Sequence, residues 1–316
     1  MELSRGRVAQ FYLLVFVATH AVTTTYRMRG GTWNSMGVFL VANGIMLIPG
    51  LAAILFVRFV LRQPVLATLG LRFKPNRWWL VAWALPPLLM LATLGISLLV
   101  PGTAYDSTMT GLGDRMGFSS HDAELLRAQA GFLGLSPLAG FLAQGLLLGP
   151  TLGIVGGLGE ELAWRGLLHH GFIRRGFWRC SLMTGILWGL WHVPLTLQGY
   201  GYPIHPISGT IVFLAYVLLF APVLTFVRMR AGSVIAPAIL HGTADGTVLL
   251  TLALVRGGND LTTGWGSLSC VAVLAIVDVL IALVVAGSSQ APRARAAPVE
   301  FKGEGVTLRD RGRFDR

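Results

Sequence analysis

The sequence predicts an all-α protein, a polytopic transmembrane bundle of about eight spanning helices. Three observations carry that prediction. Of the 316 residues, 54% are hydrophobic and only 12% charged, where a soluble domain carries about a quarter charged. The apolar residues gather into eight runs, most long enough for a spanning helix of about 20 residues. Within the runs they do not alternate with polar residues, as the strands of a membrane barrel must.

Run 8–25 has the length of a signal peptide, but Thr23, Thr24, Thr25, Tyr26 and Arg27 follow it instead of a small-residue cleavage pattern, so it reads as a retained helix. Runs 37–57 and 78–100 complete, with the loop that follows them, an N-terminal part (1–135). Runs 136–160, 180–197, 208–227, 232–254 and 266–286 form a membrane core (136–286), and 287–316 is a basic, disordered tail. Pro86, Pro87, Pro150, Pro194, Pro222 and Pro237 predict kinks that neighbouring helices satisfy. The polar stretch 101–132 is an outer loop in which 122–130 forms a short amphipathic helix. Glycines 149, 153, 156, 157 and 159 allow close helix approach and make the helix after them central.

The net charge of +11 does not indicate nucleic acid, because the charges punctuate the apolar runs instead of clustering. With eight spans, 20 of the 25 basic residues fall on the side of the two termini and 5 on the other. The positive-inside rule then makes both termini cytoplasmic, in an integral protein of the plasma membrane whose tail touches lipid. Splitting 136–175 at Pro150 would reverse that pattern. Cys180 and Cys270 read as packing residues. Trp78, Trp79, Phe177, Trp178 and Trp265 read as interfacial anchors.

Ionisable groups within such runs are costly unless paired or functional. Glu161 and Arg165 stand at i and i+4 in the favoured order for an ion pair. Glu160, about 100° away, then lacks a cation on its own helix and suits a general base. His192 lies about 20 Å along its helix from Arg179 and His241 about 16 Å from Arg230, so both can share one depth with the glutamates. His241 faces the same way as Asp245, and Trp188 the same way as His192. A carboxylate with two imidazoles activates water, or binds Zn²⁺ with one position open.

The stretches GEELAWRG at 159–166, WGLWHVP at 188–194 and LHGTAD at 240–245 follow the order EExxxR, aromatic-xxxH, HxxxN/D, each on a hydrophobic segment. In this the sequence resembles the CPBP family, the CAAX proteases and bacteriocin-processing enzymes also called Abi. The resemblance implies an intramembrane endopeptidase: Glu160 and His192 on the attacking water, His241 with Asp245 opposite at the oxyanion, Glu161, Arg165 and Trp188 in support. It implies a peptide or lipidated protein as substrate, and leaves a metalloprotease and a metal-free glutamate mechanism equally open. Trp188 stands where the family usually has Phe, keeping an aromatic wall. Asp245 stands where Asn is common; an ionised Asp cannot donate to an oxyanion, so it is either protonated in its apolar site or orients His241, and the second role is the one expected. The reaction is expected near the cytoplasmic leaflet.

The remaining titratable residues have plainer roles. His20 reads as an interhelical hydrogen-bonding group, and His169 and His170 as solvated or headgroup-facing. His121 and His205 carry no signal. Tyr105-Asp106 and Gly111-Leu-Gly-Asp114 match aspartyl-protease signatures in letters only, since both aspartates sit in one polar loop. A non-catalytic scaffold or immunity factor of the same fold is the alternative, and a proton-coupled transporter a distant third.

Overall fold

The computed structural model describes residues 3–33, 35, 37–131 and 134–287; the basic tail from 288 lies outside the described residues. Among the described residues, eight helices are long and apolar enough to cross a bilayer: α1 Arg5–Met28, α2 Leu40–Leu61, α3 Arg77–Ser97, α4 Pro137–Arg175, α5 Phe177–Leu197, α6 Pro206–Ala231, α7 Ile235–Ala253 and α8 Leu268–Gly287. The only strands among the described residues are Ala104–Tyr105 and Val255–Arg256, paired antiparallel. The all-α bundle predicted from the apolar runs is thus observed.

The peripheral helices turn one stripe inward and leave lipid-compatible side chains outside, whereas α7 is buried on all sides from Ala236 to Ala244. In α1, Phe11, Val15, Thr19 and Thr23 are buried at i, i+4 spacing, while Leu13, Leu14, Val17 and Val22 face outward. Ser4 caps its start, accepting from the Arg7 backbone N–H at 3.3 Å.

The run 136–160 does not end at its glutamates. Helix α4 continues for 39 residues, about 58 Å, through Pro150 and on to Arg175. It absorbs Pro150 in a π-helical stretch, Gly149–Gly153, where the wider turn tolerates the missing donor. A second π stretch, Leu162–Leu168, follows the glutamates, and a 3₁₀ turn, Ile173–Arg175, ends the helix. The Arg165 carbonyl in that second stretch accepts from Arg228 Nε at 3.0 Å. Pro86, Pro87, Pro194 and Pro222 lie inside continuous helices. Pro237 sits instead in the first turn of α7, where its missing donor has no helical partner to lose.

The glycines of α4 bring it against two neighbours at once. A Cβ on Gly153 would lie 2.6 Å from the Gly242 carbonyl oxygen of α7, and one on Gly157 would strike the Ala238 carbonyl. On the other side, a Cβ on Gly50 of α2 would lie 2.5 Å from the Gly159 carbonyl, and one on Gly159 would strike that of Met46. Helix α4 is therefore clamped between α2 and α7 at backbone distance.

The two faces of the bundle are knit differently. On the face of the amino terminus, the Val234 N–H donates to the Gly70 carbonyl at 3.0 Å and Asn76 Nδ2 to the Ala231 carbonyl at 3.0 Å. The opposite face carries the longer loops. There the helix Ser120–Ala130, capped by Ser119, matches the amphipathic segment read at 122–130. Fully buried Arg115 donates to the carbonyls of Val255 (2.8 Å), Thr263 (3.1 Å) and Leu252 (3.2 Å). His205, silent in the sequence, bonds Asp260 Oδ1 at 2.6 Å, and Asp260 Oδ2 accepts the N–H groups of Ile204 and His205. Asp106 is a loop staple: it accepts from the Thr108 hydroxyl (2.6 Å) and N–H (3.0 Å), the Gly111 N–H (2.9 Å) and the Thr110 hydroxyl (3.0 Å). Burial pushes its carboxyl up, but these bonds together outweigh burial and hold it down at about 2.

Gly153→Ala is expected to lower the thermal unfolding midpoint in detergent, since the added methyl costs about 1–3 kcal/mol of overpacking. Gly95→Ala, at a helical glycine with open space around it, is expected to be neutral or stabilising. The depressed Asp106 carboxyl stabilises the loop fully above its unfolded value of about 4, and that support is lost as pH falls through about 2. Hydrogen exchange over 104–116 should therefore rise across that acid window in the parent, and be insensitive to it in Asp106→Asn.

Candidate active site

The four-residue spacing of α4 creates two parallel pairs with different chemistry. Glu161 reaches Arg165 Nη1 at 3.2 Å, with both side chains fully buried. Glu160 reaches Trp164, whose Nε1–H donates to Oε2 at 3.1 Å. The first carboxylate meets a cation and the second a neutral donor. Trp188 of α5 adds another neutral donor, Nε1–H to Glu160 Oε2 at 2.6 Å, and its ring lies under the Arg165 guanidinium, 4.6 Å from the centroid. Trp188 is therefore more than the aromatic wall that its position suggests.

Both histidines are tied at Nδ1. His192 donates from Nδ1 to the Trp188 carbonyl at 3.0 Å. His241 donates from Nδ1 to Glu161 Oε1 at 2.9 Å, joining α7 to α4 across 80 residues of sequence. Since a carbonyl and an ion-paired carboxylate only accept, these partners assign the tautomer and leave each Nε2 for other work. The bond that orients His241 was expected from Asp245. It comes from Glu161 instead: Asp245 Oδ2 is 3.8 Å from His241 Nε2, an electrostatic neighbour beyond hydrogen-bond reach.

Glu160, His192, His241 and Asp245 line one cavity of about 290 Å³, at the low end of the size of ligand sites. The convergence that sequence alone does not give is present. Trp188, Asn43, Tyr200 and Tyr216 add polar groups to an otherwise apolar wall. Trp265, read as an interfacial anchor, is also in that wall, its ring 5.0 Å from Tyr216 and 5.5 Å from Phe220. From these side chains the cavity runs toward the longer loops.

Other titratable groups find structural partners. His20 Nε2 lies 3.1 Å from the Trp191 carbonyl, the interhelical role read for it. His169, expected in solvent, is buried with Nδ1 3.6 Å from Cys180 Sγ. Cys180 and Cys270 are both free and fully buried. Among the described residues no three His, Cys, Asp or Glu side chains converge as a metal-ligand set. The arrangement as it stands does not fit a three-ligand zinc site.

Trp164 was missed in the sequence although its i+4 spacing from Glu160 was a usable signal. Asn43, on α2, lies outside all three motifs, and no spacing points to it.

Residues 142–247 match the family model of the type II CAAX prenyl endopeptidase Rce1-like proteins. The match spans a third of the chain and contains every motif residue above, so the CPBP resemblance is shown for this membrane core, and its family is one of proteases. No curated protein matches the chain.

Glu161→Gln is expected to cost about 3–5 kcal/mol, because it strips Arg165 of its buried counter-charge. Glu160→Gln keeps an oxygen to accept from both indoles and should unfold within about 1 kcal/mol of the parent. Thermal unfolding of the purified variants ranks them; the reverse order would show that Glu160, not Glu161, holds the bundle together.

Proposed function

We propose that this chain is an intramembrane endopeptidase that hydrolyses a peptide bond with a water activated by Glu160 and His192. The observation that carries the reading is the difference between the two glutamates: Glu161 is consumed by Arg165 and His241, while Glu160 is held by neutral indoles in the cavity wall. A carboxylate so placed is fixed in position yet not neutralised by a cation, as a general base requires.

In the proposed sequence, His192 Nε2 accepts one hydrogen of the water and Glu160 removes the other as the oxygen attacks the scissile carbonyl. His241, flanked by Glu161 and Asp245, donates from Nε2–H in its charged form to the tetrahedral oxyanion. Asp245 acts as counter-charge to that imidazolium. Collapse breaks the C–N bond as Glu160 passes its proton to the leaving amine, and the new carboxylic acid then gives up its hydroxyl proton to that amine, so that a carboxylate and an ammonium are released. The poor fit of the donor set to a three-ligand site favours this glutamate mechanism over a zinc-bound water. The chain would act in the plasma membrane with both termini cytoplasmic, on a peptide or a lipidated protein, among lipids and without nucleic acid.

The alternative, a non-catalytic scaffold or immunity factor, needs none of this geometry. Glu160→Gln, His192→Ala and His241→Ala are each expected to lower cleavage at least about 10²-fold while membrane insertion survives, and chelators should leave the parent rate unchanged. The readout is the set of protein termini in membranes of a deletion strain complemented with each variant. Full rescue by Glu160→Gln would select the scaffold, and loss of activity on chelation would select the metal.

A further inference from the structure

The cavity touches the loops of one face only. Trp33 follows α1, Phe118 lies between α3 and α4, Tyr200 between α5 and α6, and Trp265 between α7 and α8. On α7 the lining runs from His241 to Leu252, toward the end of the helix on that face, and on α5 from Trp188 to Leu195. Among the described residues, none from the connections after α2, α4 or α6 contributes. His192 lies five residues before Leu197, about 8 Å from the loop end of α5. The cavity thus extends from its carboxylate and imidazoles toward the face opposite the amino terminus.

The charges assign sides to these faces. Buried Arg165 aside, 12 of the described basic residues lie toward the face of the amino terminus and 5 toward the loop face, an asymmetry that retains the first in the cytoplasm. We infer that the scissile peptide enters from the extracytoplasmic face, so the substrate class is an extracytoplasmic, membrane-proximal segment of polypeptide and not a lipidated carboxyl terminus presented from the cytoplasm. This rests on the endopeptidase reading. A volume of about 290 Å³ between Leu112, Met116, Phe118, Phe213 and Trp265 admits a short, unfolded, apolar stretch and excludes a folded domain. The segment must therefore be extended where it is cut.

The test uses the full chain in intact cells. Ser120→Cys is exposed on the loop face and Gln63→Cys on the other, and the unsubstituted protein, with both cysteines buried, is the background. A membrane-impermeant maleimide should label Ser120→Cys at least about tenfold over Gln63→Cys, with the difference abolished by permeabilisation; the opposite ratio overturns the inference. Protein termini that differ between the parent and Glu160→Gln should then map to extracytoplasmic segments. Changes confined to cytoplasmic segments would overturn this substrate class and leave the endopeptidase standing. No change at all would remove the endopeptidase and the substrate class together, while the labelling would still report which way the cavity faces.

Discussion

One buried chain of charge holds the core of this molecule together: Arg165 to Glu161, and Glu161 to His241. A guanidinium surrounded by helices and lipid is stable only beside a counter-charge, and α4 supplies it four residues away. The same carboxylate then takes the Nδ1 proton of His241 from α7. A single side chain thus satisfies a cation on its own helix and fixes an imidazole on another. The bond works only if α4 and α7 lie at backbone distance, and Gly153, Gly157 and Gly242 permit that approach.

The consequence for chemistry lies in the neighbour. Because Glu161 takes the charge-balancing role, Glu160, one position earlier and turned by about 100°, is left to the indoles of Trp164 and Trp188. Neutral donors hold the carboxylate in place without cancelling its charge. The π stretch at Leu162–Leu168 follows directly. A wider turn there carries Arg165, whose carbonyl is bound from α6 by Arg228 while its guanidinium bridges Glu161 and the Trp188 ring. The irregularity thus sits where a regular helix would have to serve two neighbours at once.

What was legible in the sequence was what repeats along a single helix. The eight spans followed from hydropathy, and the Glu161–Arg165 pair from spacing alone. The bond from His241 to Glu161 joins positions 80 apart, and no periodicity encodes which of two nearby carboxylates an imidazole will choose; proximity in sequence pointed to Asp245 and tertiary packing chose Glu161. The length of α4 was hidden for another reason. Pro150 reads as a kink and a π turn absorbs it, while the polar cluster 159–165 looks like a border, yet partners from α5, α6 and α7 satisfy it. His169, which reads as solvated or headgroup-facing, is buried because α4 remains packed beyond the glutamates. The loop anchors Arg115, Asp260 and Asp106 act through backbone carbonyls and N–H groups, which a pattern of side chains does not display.

The two departures from the family pattern can be understood together. Asp245 in place of Asn puts an additional carboxylate, its side chain 45% accessible, on a cavity wall that already holds Glu160, and like charges that share one wall raise each other's energy. Trp188 in place of Phe adds an N–H donor 2.6 Å from Glu160 Oε2, which a phenyl ring cannot do, and charge-assisted bonds of that length are among the stronger ones. Asp245 lies 3.8 Å from His241 Nε2, the nitrogen opposite the one that Glu161 holds. The added negative charge therefore falls beside the imidazole that the proposed mechanism requires to be charged, and the added donor falls on the carboxylate that would otherwise feel the repulsion. On this argument each departure makes the other tolerable: Asp245 with a phenyl ring at 188 would leave Glu160 one donor short against a second negative charge.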